Sequence, residues 1–243
     1  MIDIHSHILF GVDDGAKTIE DSLALIEEMY NQGVKIFILT PHRRKNMFEK
    51  SKQEIEENFK KLKQAIKEKY NDLIRIYLGT EIYYTEDIPD KIERNEIHSM
   101  AGTRNVLVEF NYGIRAKDLE DAIYNIVTLG KTPIIAHIER YDCLEKNDET
   151  ILNLIELGAK MQVNAESILK INLFGDNKKV YKKRAKYFLE NDLVDIIASD
   201  AHNLSTRKPY MKKAYDIIVD KYGKKRAENL FYKTPARIMM ERD

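Results

Sequence analysis

Hydrophobic and polar positions along the chain repeat as one unit, in which an amphipathic helix is followed by a glycine, a short apolar run and a polar residue. The unit is clearest around Gly33, Gly130 and Gly158. Each of these glycines follows apolar residues at helical spacing and precedes a run typical of a buried strand. Helices that alternate with buried strands predict an α/β fold with a parallel sheet.

This pattern predicts seven strands, which are the N-terminal segment with Ile2 and Ile4 and the segments 34–39, 74–78, 106–108, 132–136, 159–163 and 194–198. No proline-rich or serine-rich linker divides the chain, so residues 1–243 are expected to form one domain. The strand count and the length favour a closed or nearly closed (β/α) barrel over a doubly wound sheet. In such a barrel the carboxyl ends of all strands meet at the face where active sites lie.

Capping signals mark several helices between these strands. Thr18, with an acidic residue three positions later, predicts one helix start, and Ser51 can cap a long, heavily charged helix. A basic helix carries charges from Lys178 to Lys186, and two further helices are expected around Gly223. The basic residues form either a solvated helix face or a docking surface for an acidic partner.

Composition restricts the classes of function. Hydrophobic residues make up 43% and charged residues 33% of the chain, values typical of a globular protein with a substantial core. Lys+Arg and Asp+Glu both number 40, so no overall charge favours nucleic acid or an anionic membrane as partner. No apolar run approaches the roughly 18 residues of a membrane span, and no secretory signal pattern is present. With Cys143 as the single cysteine, these features favour a cytoplasmic protein.

The polar residues at the strand ends carry the candidate chemistry. His5 and His7 are two apart on a strand, so they project from one face at a separation of roughly 6.6 Å, which suits two ligands of one metal ion. Such a pair alone is common by chance. Comparable residues follow the other strand ends, and the full set is His5, His7, Asp14, His42, Glu81, Glu109, His137, Asp200 and His202.

The set contains five of the six histidines, and the sixth, His98, lies in a polar loop where a structural or exposed role is expected. Converging carboxylates repel one another and require compensating cations. Imidazole and carboxylate donors without cysteine favour Mn²⁺, Zn²⁺ or Fe²⁺ over Mg²⁺ or Ca²⁺. Because the set is too large for one ion, two or three ions are predicted.

Two arginines, Arg140 and Arg207, each follow a candidate ligand closely in sequence. Each could pair with a carboxylate, or bind a phosphoryl group in bidentate fashion. Metal ligands together with arginines point to the chemistry of phosphate esters. Arg43 and Arg44 are weaker candidates for steering an anionic substrate, and a solvated loop is the simpler interpretation for them.

Absent motifs exclude several catalytic classes. The chain has no G-x-G-x-x-G, G-x-x-x-x-G-K-[ST] or G-x-S-x-G motif, which removes the usual dinucleotide, nucleotide and serine-hydrolase signatures. The residue six positions after Cys143 is Glu149 and not arginine, which excludes a cysteine-nucleophile phosphatase of the C-x5-R kind. Cys143 is therefore expected to be a packing residue, and any phosphatase activity must use metal-bound water.

These motifs resemble those of the polymerase-and-histidinol-phosphatase (PHP) superfamily, which read here as His5-x-His7, His42, Glu81, Glu109, His137 and Asp200-x-His202. Over essentially its whole length, the chain resembles the bacterial manganese-dependent protein-tyrosine phosphatases of capsular and exopolysaccharide gene clusters. The most specific segments are residues 1–7, 11–15, 42–45, 79–84, 136–142 and 198–203.

The resemblance implies a distorted (β/α)7 barrel with three metal ions, Mn²⁺ first among the candidates and Fe²⁺ or Zn²⁺ as alternatives. It implies one ion held by His5, His7, Glu81 and Asp200, a second by Glu81, Glu109 and His137, and a third by Asp14, His42 and His202. Arg140 and Arg207 would hold the phosphate.

The expected reaction is hydrolysis of phosphotyrosine by a metal-bridging hydroxide, without a phosphoenzyme. The metals and the two arginines would neutralise charge on the equatorial oxygens, and Asp200 or His202 could donate a proton. The implied partner is the phosphorylated C-terminal tail of a cytoplasmic tyrosine autokinase that controls capsule or exopolysaccharide synthesis.

Three alternatives remain open. The first is a small-molecule phosphatase, such as one acting on histidinol phosphate. The second is a phosphodiesterase or exonuclease, which the zero net charge disfavours. The third is a non-catalytic, metal-stabilised module that binds the kinase, which the presence of both arginines beside a full ligand set disfavours.

Overall fold

Short parallel strands position the polar residues of the candidate site. A computed structural model describes residues 1–172 and 175–241. Its strands are β1 (Ile2–Asp3), β2 (Ile36–Leu39), β3 (His42–Arg43), β4 (Arg75–Leu78), β5 (Glu81–Tyr83), β6 (Asn105–Glu109), β7 (Thr132–Ile135), β8 (Lys160–Asn164) and β9 (Ile196–Ala198).

The strands form two sheets, with the orders β1-β2-β4 and β3-β5-β6-β7-β8-β9. Every hydrogen-bonded pair of these strands is parallel, which confirms the α/β class predicted from the alternation of helices and apolar runs.

The part of the chain that the structure describes contains nine short strands where the sequence predicts seven, because two short strands follow predicted ones. Strand β3 lies beyond the predicted segment 34–39, after an interruption at Pro41, and β5 lies beyond the predicted segment 74–78, after an interruption at Gly79. Pro41 has no amide hydrogen, so it cannot donate to a ladder. Backbone bonds from Gly79 N to Leu39 O (2.8 Å) and from Glu81 N to Pro41 O (3.1 Å) still connect the two interrupted segments.

The first and last strands lie side by side at their carboxyl ends. The Asp200 amide donates to the His5 carbonyl, and the His7 amide donates to the Ala201 carbonyl, each at 2.9 Å. The two parallel sheets therefore curl together into one arrangement, in which the first strand of the chain meets the last.

Asp3 is a buried carboxylate that joins β1 to the end of β9. Its oxygens accept hydrogen bonds from the Ser199 amide at 2.8 Å and from the Ser199 hydroxyl at 2.7 Å. Burial raises the pKa of Asp3 to about 6, although both bonds oppose that shift. The sequence analysis does not single out Asp3, because a lone acidic residue in a strand gives no indication of its partner.

The helices are α1 (Ile19–Asn31), α2 (Lys52–Tyr70), α3 (Ile88–Glu93), α4 (Ala116–Thr128), α5 (Asp148–Glu156), α6 (Lys179–Glu190), α7 (Met211–Tyr222), α8 (Lys224–Glu228) and α9 (Thr234–Ile238). Capping boxes at Thr18 and Ser51 confirm the predicted starts of α1 and α2. Gly130 and Gly158 end α4 and α5 with φ of 73° and 94°, values that glycine adopts without a β-carbon clash. Where two C-terminal helices are predicted, three occur, with a π-helical segment at Asn229–Lys233 before α9.

Apolar side chains pack on both faces of the sheet. The larger cluster lies between strands and helices, and the smaller one fills the inner face. Ile238 of α9 belongs to the inner cluster, and its carbonyl accepts a hydrogen bond from Asn105 at the start of β6. Helix α9 thus covers the amino ends of the strands, and the carboxyl ends are left for the candidate site. None of the described helices combines the length and apolar character needed to cross a membrane.

We expect Asp3→Ala to lower the free energy of unfolding by about 2 kcal/mol, because the buried Ser199 amide loses its acceptor, whereas the Ser199 hydroxyl can still donate to the His5 carbonyl at 3.1 Å. Asp3→Asn should lose less, since its side-chain oxygen can still accept from the Ser199 amide. Urea unfolding followed by circular dichroism measures both changes. Equal stability of wild type and Asp3→Ala would show that this contact does not secure the junction of β1 and β9.

Candidate metal centre

All nine predicted residues lie together at the carboxyl ends of the strands. Parallel strands deliver them there because each strand ends at the same face of the curled sheet. The contributions are His5 and His7 after β1, Asp14 in the turn before α1, His42 in β3, Glu81 in β5, Glu109 in β6, His137 after β7, and Asp200 and His202 after β9.

The Glu81 carboxylate lies at the centre of the cluster. Its Oε1 is 3.1 Å from His5 Nε2 and 3.0 Å from His137 Nε2, and its Oε2 is 3.2 Å from His7 Nε2 and 2.9 Å from His42 Nδ1. Although burial opposes ionisation, His5 and His42 hold the pKa of Glu81 well below its usual value. Four imidazoles thus surround one buried, ionised carboxylate.

The other carboxylates connect the imidazoles around Glu81. Each lies within 3.7 Å of at least two imidazole nitrogens, with Asp200 next to His5, His7 and His202, Glu109 next to His42 and His137, and Asp14 next to His42 and His202. Three groups of side chains each offer ligand atoms within 4.8 Å of one another, namely His5, His7 and Glu81; His42, Glu81 and Glu109; and His7, Asp14, His42 and His202.

His42 occupies a position between two of the ligand sets that the sequence resemblance implies. That resemblance assigns His42 to one ion, together with Asp14 and His202. In the structure, His42 Nε2 faces Asp14 at 3.5 Å, but Nδ1 lies 2.9 Å from Glu81 and 3.3 Å from Glu109. The geometry therefore brings His42 into two of the three groups.

The protonation of the imidazoles differs across the cluster. Burial alone would lower the pKa of His42, but Glu81 and Glu109 raise it to about 9. Burial, together with the neighbouring His7, lowers the pKa of His202 to about 4. Protonated imidazoles therefore offset part of the carboxylate charge here, and a bound cation would take over that role by displacing the protons.

Five buried atoms of the cluster make no well-oriented hydrogen bond among the described residues, namely His42 Nδ1, Glu81 Oε2, Glu109 Oε1, His137 Nδ1 and His202 Nε2. His42 Nδ1 lies close to both carboxylates, at 2.9 Å from Glu81 and 3.3 Å from Glu109, so these three atoms interact electrostatically without hydrogen-bond geometry. Buried polar atoms normally have partners, because leaving one unsatisfied costs about 1–3 kcal/mol. Carboxylate oxygens and imidazole nitrogens that converge in this way fit divalent cations. The chemistry of these donor atoms therefore fits a metal centre.

Asp13 is a buried residue of the site that the sequence analysis misses. Its Oδ2 accepts from His7 Nδ1 at 2.7 Å and from the His42 amide at 3.0 Å, and its Oδ1 accepts from the Gly15 amide at 2.9 Å. The bond to Nδ1 leaves Nε2 of His7 facing Glu81. An acidic pair in a turn indicates a functional carboxylate, but the sequence does not show which member points inward.

Gln162 and Asn164 orient further members of the cluster. Gln162 Oε1 accepts from His5 Nδ1 at 3.1 Å and from the His137 amide at 2.8 Å. The Gln162 side-chain amide donates to Asn164, whose own amide donates to Asp200 Oδ2 at 2.7 Å. In the sequence, the indication of this pair is that two polar residues, two positions apart, lie on the same side of the buried strand β8.

Arg140 and Arg207 both lie beside Asp200. Arg140 Nη2 donates to Asp200 Oδ2 at 2.6 Å, and Arg207 Nη2 donates to Asp200 Oδ1 at 3.0 Å. Arg207 Nη1 also donates to Asp14 at 3.3 Å. The side chains remain 15% and 30% exposed, so both pair with carboxylates and still border the opening to solvent.

Two residues of the cluster have strained backbones. His137 and Asp200 adopt φ of 36° and 50°, in the left-handed region that side chains with a β-carbon rarely occupy. Strained residues of this kind concentrate at functional sites, where the surrounding structure holds them in place.

The remaining candidates lie outside the cluster. The His98 side chain is largely buried, with Nε2 3.6 Å from Glu56, and Cys143 is half-buried against the core, as a packing residue should be. Four of the six basic residues from Lys178 to Lys186 form ion pairs within the chain, Lys178 with Glu166, Lys182 with Asp176, Arg184 with Asp142 and Glu145, and Lys186 with Glu190. Lys182 and Arg184 are buried, so the prediction of a solvated or docking face is wrong for these two.

Residues 1–240 match the family described as capsular polysaccharide synthesis, CpsB/CapC. The chain is 48% identical over 241 residues to the tyrosine-protein phosphatase CpsB of Streptococcus pneumoniae, covering 99% of each chain. It is 46% identical over 239 residues to the tyrosine-protein phosphatase CpsB of Streptococcus agalactiae, covering 98% of each chain.

A solved structure extends the likeness to three dimensions. It comes from crystal structures of YwqE from Bacillus subtilis and CpsB from Streptococcus pneumoniae, described as unique metal-dependent tyrosine phosphatases. The TM-score is 0.88 at 26% identity, over 100% of this chain and 96% of that chain. These matches confirm the resemblance drawn from the motifs to the phosphatases of capsule gene clusters. The chain belongs to the CpsB/CapC family of capsular polysaccharide synthesis.

Proposed function

We propose that this chain is a metal-dependent phosphomonoesterase that hydrolyses phosphotyrosine in a protein substrate. The observation that carries the proposal is the buried cluster whose imidazole and carboxylate atoms converge on Glu81, with Arg140 and Arg207 at its edge. The relatives named tyrosine-protein phosphatase support the substrate class.

Two or three divalent ions are proposed for the cluster, Mn²⁺ first and Fe²⁺ or Zn²⁺ as alternatives, since its donors are imidazoles and carboxylates. Bound ions would lower the pKa of water from about 16 toward about 7 and so supply the nucleophile without a phosphoenzyme. The proposed ligands are His5, His7, Glu81 and Asp200 for one ion, Glu81, Glu109 and His137 for a second, and Asp14, His42 and His202 for a third, with His42 also within reach of the second.

Arg140 and Arg207 are proposed to bind the phosphoryl oxygens. A guanidinium fork matches two oxygens of a phosphoryl group, and its fixed charge stabilises the negative charge of the transition state. Asp200 also accepts a hydrogen bond from Asn164 at 2.7 Å, so it would keep a partner when an arginine turns to the phosphate.

Asp200 and His202 are predicted both as ligands and as proton donors. Burial opposes ionisation of Asp200, but Arg140 and His5 hold its pKa well below the usual value, and the pKa of His202 is about 4. Both groups are therefore deprotonated at neutral pH, which is the state a metal ligand needs. Because the leaving phenolate has a pKa of about 10, it requires little protonation, which favours the ligand role.

The architecture proposed for the site is a distorted (β/α)7 barrel in one domain. Seven strands result when β2 with β3 and β4 with β5 are each counted as one interrupted strand. The contact between β1 and the end of β9 supports a closed ring, and the family match over residues 1–240 supports a single domain.

The proposed substrate is the phosphorylated C-terminal tail of a cytoplasmic tyrosine autokinase that controls capsule or exopolysaccharide synthesis. The family description, capsular polysaccharide synthesis, supports this assignment. The internal ion pairs of α6 leave few free cations on that helix, so recognition of the tail is proposed to depend on the phosphotyrosine itself.

Phosphate release from the phosphorylated kinase tail should require a divalent metal. We expect turnover with Mn²⁺, its loss after complete chelation, and its return when Mn²⁺ is added back, with metal content measured on the same samples. Histidinol phosphate and single-stranded DNA serve as comparison substrates and should react much more slowly. Full activity in metal-free protein, or a stable complex with the tail and no phosphate release, would contradict the proposal.

Arg140→Lys and Arg207→Lys should each reduce kcat/KM for the phosphotyrosyl tail by roughly 10- to 1,000-fold. Lysine keeps the positive charge but cannot donate in bidentate fashion to two oxygens of a phosphoryl group. Steady-state kinetics with Mn²⁺ at saturation tests this, and Arg75→Lys, at an exposed arginine that begins β4 at the opposite end of the strands from the cluster, is the matched control that should stay near wild type. Unchanged kcat/KM in both site variants would show that neither arginine contributes to catalysis.

Asp13→Asn should weaken Mn²⁺ binding about 10- to 100-fold, because the amide cannot reproduce the carboxylate that accepts from His7 Nδ1. Calorimetric titration of metal-free protein with Mn²⁺ measures the affinity. Asp216→Asn, which changes an exposed carboxylate paired with Lys212, is the control and should leave the affinity unaltered. Equal affinities in the two variants would show that Asp13 does not orient His7 for metal binding.

A further inference from the structure

The cluster has two chemically different borders. Arg140 and Arg207 lie beside Asp200, whereas the aromatic side chains of Phe48 and Tyr112 lie beside His42 and His137, with Tyr112 also in contact with Arg140. The Phe48 ring stacks on His42 at 5.3 Å with an interplanar angle of 10°. The Tyr112 ring meets His137 edge-on at 6.2 Å and 90°.

Phe48 is held over His42 by a tight hairpin after β3. The Phe48 amide donates to the Arg44 carbonyl at 2.8 Å, and the Arg44 amide donates to the Phe48 carbonyl at 3.0 Å. Asn46 at the turn adopts φ of 62°, and its amide is fixed by the Glu49 carboxylate at 2.9 Å. The ring is only partly buried, so the hairpin holds an apolar face at the opening of the cluster.

Tyr112 is fixed although its side chain is 43% exposed. Its carbonyl accepts from the Asp142 amide at 3.1 Å, and its hydroxyl accepts from Arg140 Nη1 at 3.2 Å. The second bond places the Tyr112 ring directly beside the guanidinium proposed to bind the phosphoryl group. A group esterified to that phosphoryl would therefore emerge next to an ordered aromatic side chain.

We infer that Phe48 and Tyr112 form a binding subsite for the aryl ring of an aryl phosphate, while the arginines and metals hold its phosphoryl group. This inference rests on the proposed function and adds the residues that select phenyl over alkyl esters. Contacts between a substrate ring and the rings of Phe48 and Tyr112 would favour offset or edge-on geometry. Because the two side chains are already ordered, they lose little conformational entropy when a substrate ring packs against them.

Binding of two phosphonates tests the subsite without turnover. Phenylphosphonate and methylphosphonate share the anionic head and differ in the ring, so the ratio of their Kd values isolates the contribution of the ring. By calorimetry with the Mn²⁺-loaded protein, we expect phenylphosphonate to bind about tenfold more tightly. Equal affinities in the wild type would overturn the inference, even if the protein hydrolyses phosphotyrosine.

Three variants assign the preference to residues. Tyr112→Leu and Phe48→Leu should reduce it to about threefold or less, whereas Tyr112→Phe, which keeps the ring and loses the bond to Arg140, should retain it. Equal weakening of both phosphonates in Tyr112→Leu would mean that Tyr112 acts only through Arg140, and would overturn its assignment. Metal content is measured in each variant, and loss of metal from Phe48→Leu would overturn the assignment of Phe48, since it would then serve to hold His42.

If the proposed function fails instead, no phosphate is released from the phosphotyrosyl tail, whatever the ratio of the two phosphonates. The two failures are therefore distinguishable. A tenfold ratio without hydrolysis would leave an aryl-anion binding site in a protein that is not a phosphatase.

Discussion

The Glu81 carboxylate is surrounded by four imidazoles from three other segments of the chain, and this buried contact constrains where the strands must end. A buried negative charge is tolerated only if positive or strongly polar groups compensate it. The compensating groups come from residues 5, 7, 42 and 137, so the strands that carry them must all end at one point. The curled parallel sheet satisfies that requirement because its carboxyl ends share one face.

A second layer of polar residues makes this arrangement specific. Asp13, Gln162 and Asn164 bind the sides of the ligands that face away from the centre, and so determine which ring nitrogen or carboxylate oxygen points inward. The ligand atoms that this layer binds have hydrogen-bond partners. Of the nine buried side-chain atoms without a well-oriented partner in the described part of the chain, five lie in the cluster, where cations can satisfy them.

Much of this site can be predicted from the sequence, because the apolar runs locate the strands and the first polar residues after them locate the ligands. The nine candidate residues do converge, and the α/β class is as expected. The positioning residues are harder to predict, since the bond between His5 and Gln162 joins positions 157 apart and neither residue indicates the other. The short strands β3 and β5 beyond Pro41 and Gly79 and the burial of Lys182 and Arg184 likewise depend on tertiary neighbours that periodicity does not report.

The junction of β1 with the end of β9 has a consequence for the order of events during synthesis. The candidate ligands extend from His5 to His202, and the bonds from Asp3 to Ser199 span 196 positions. During translation, the first two histidines leave the ribosome long before Glu81, and the last members follow only when most of the chain has been made. Contacts of such separation form late, because the loop must close before they contribute free energy. The candidate ligand set is thus complete only after β1 meets the end of β9, and a nascent chain lacks the finished cluster.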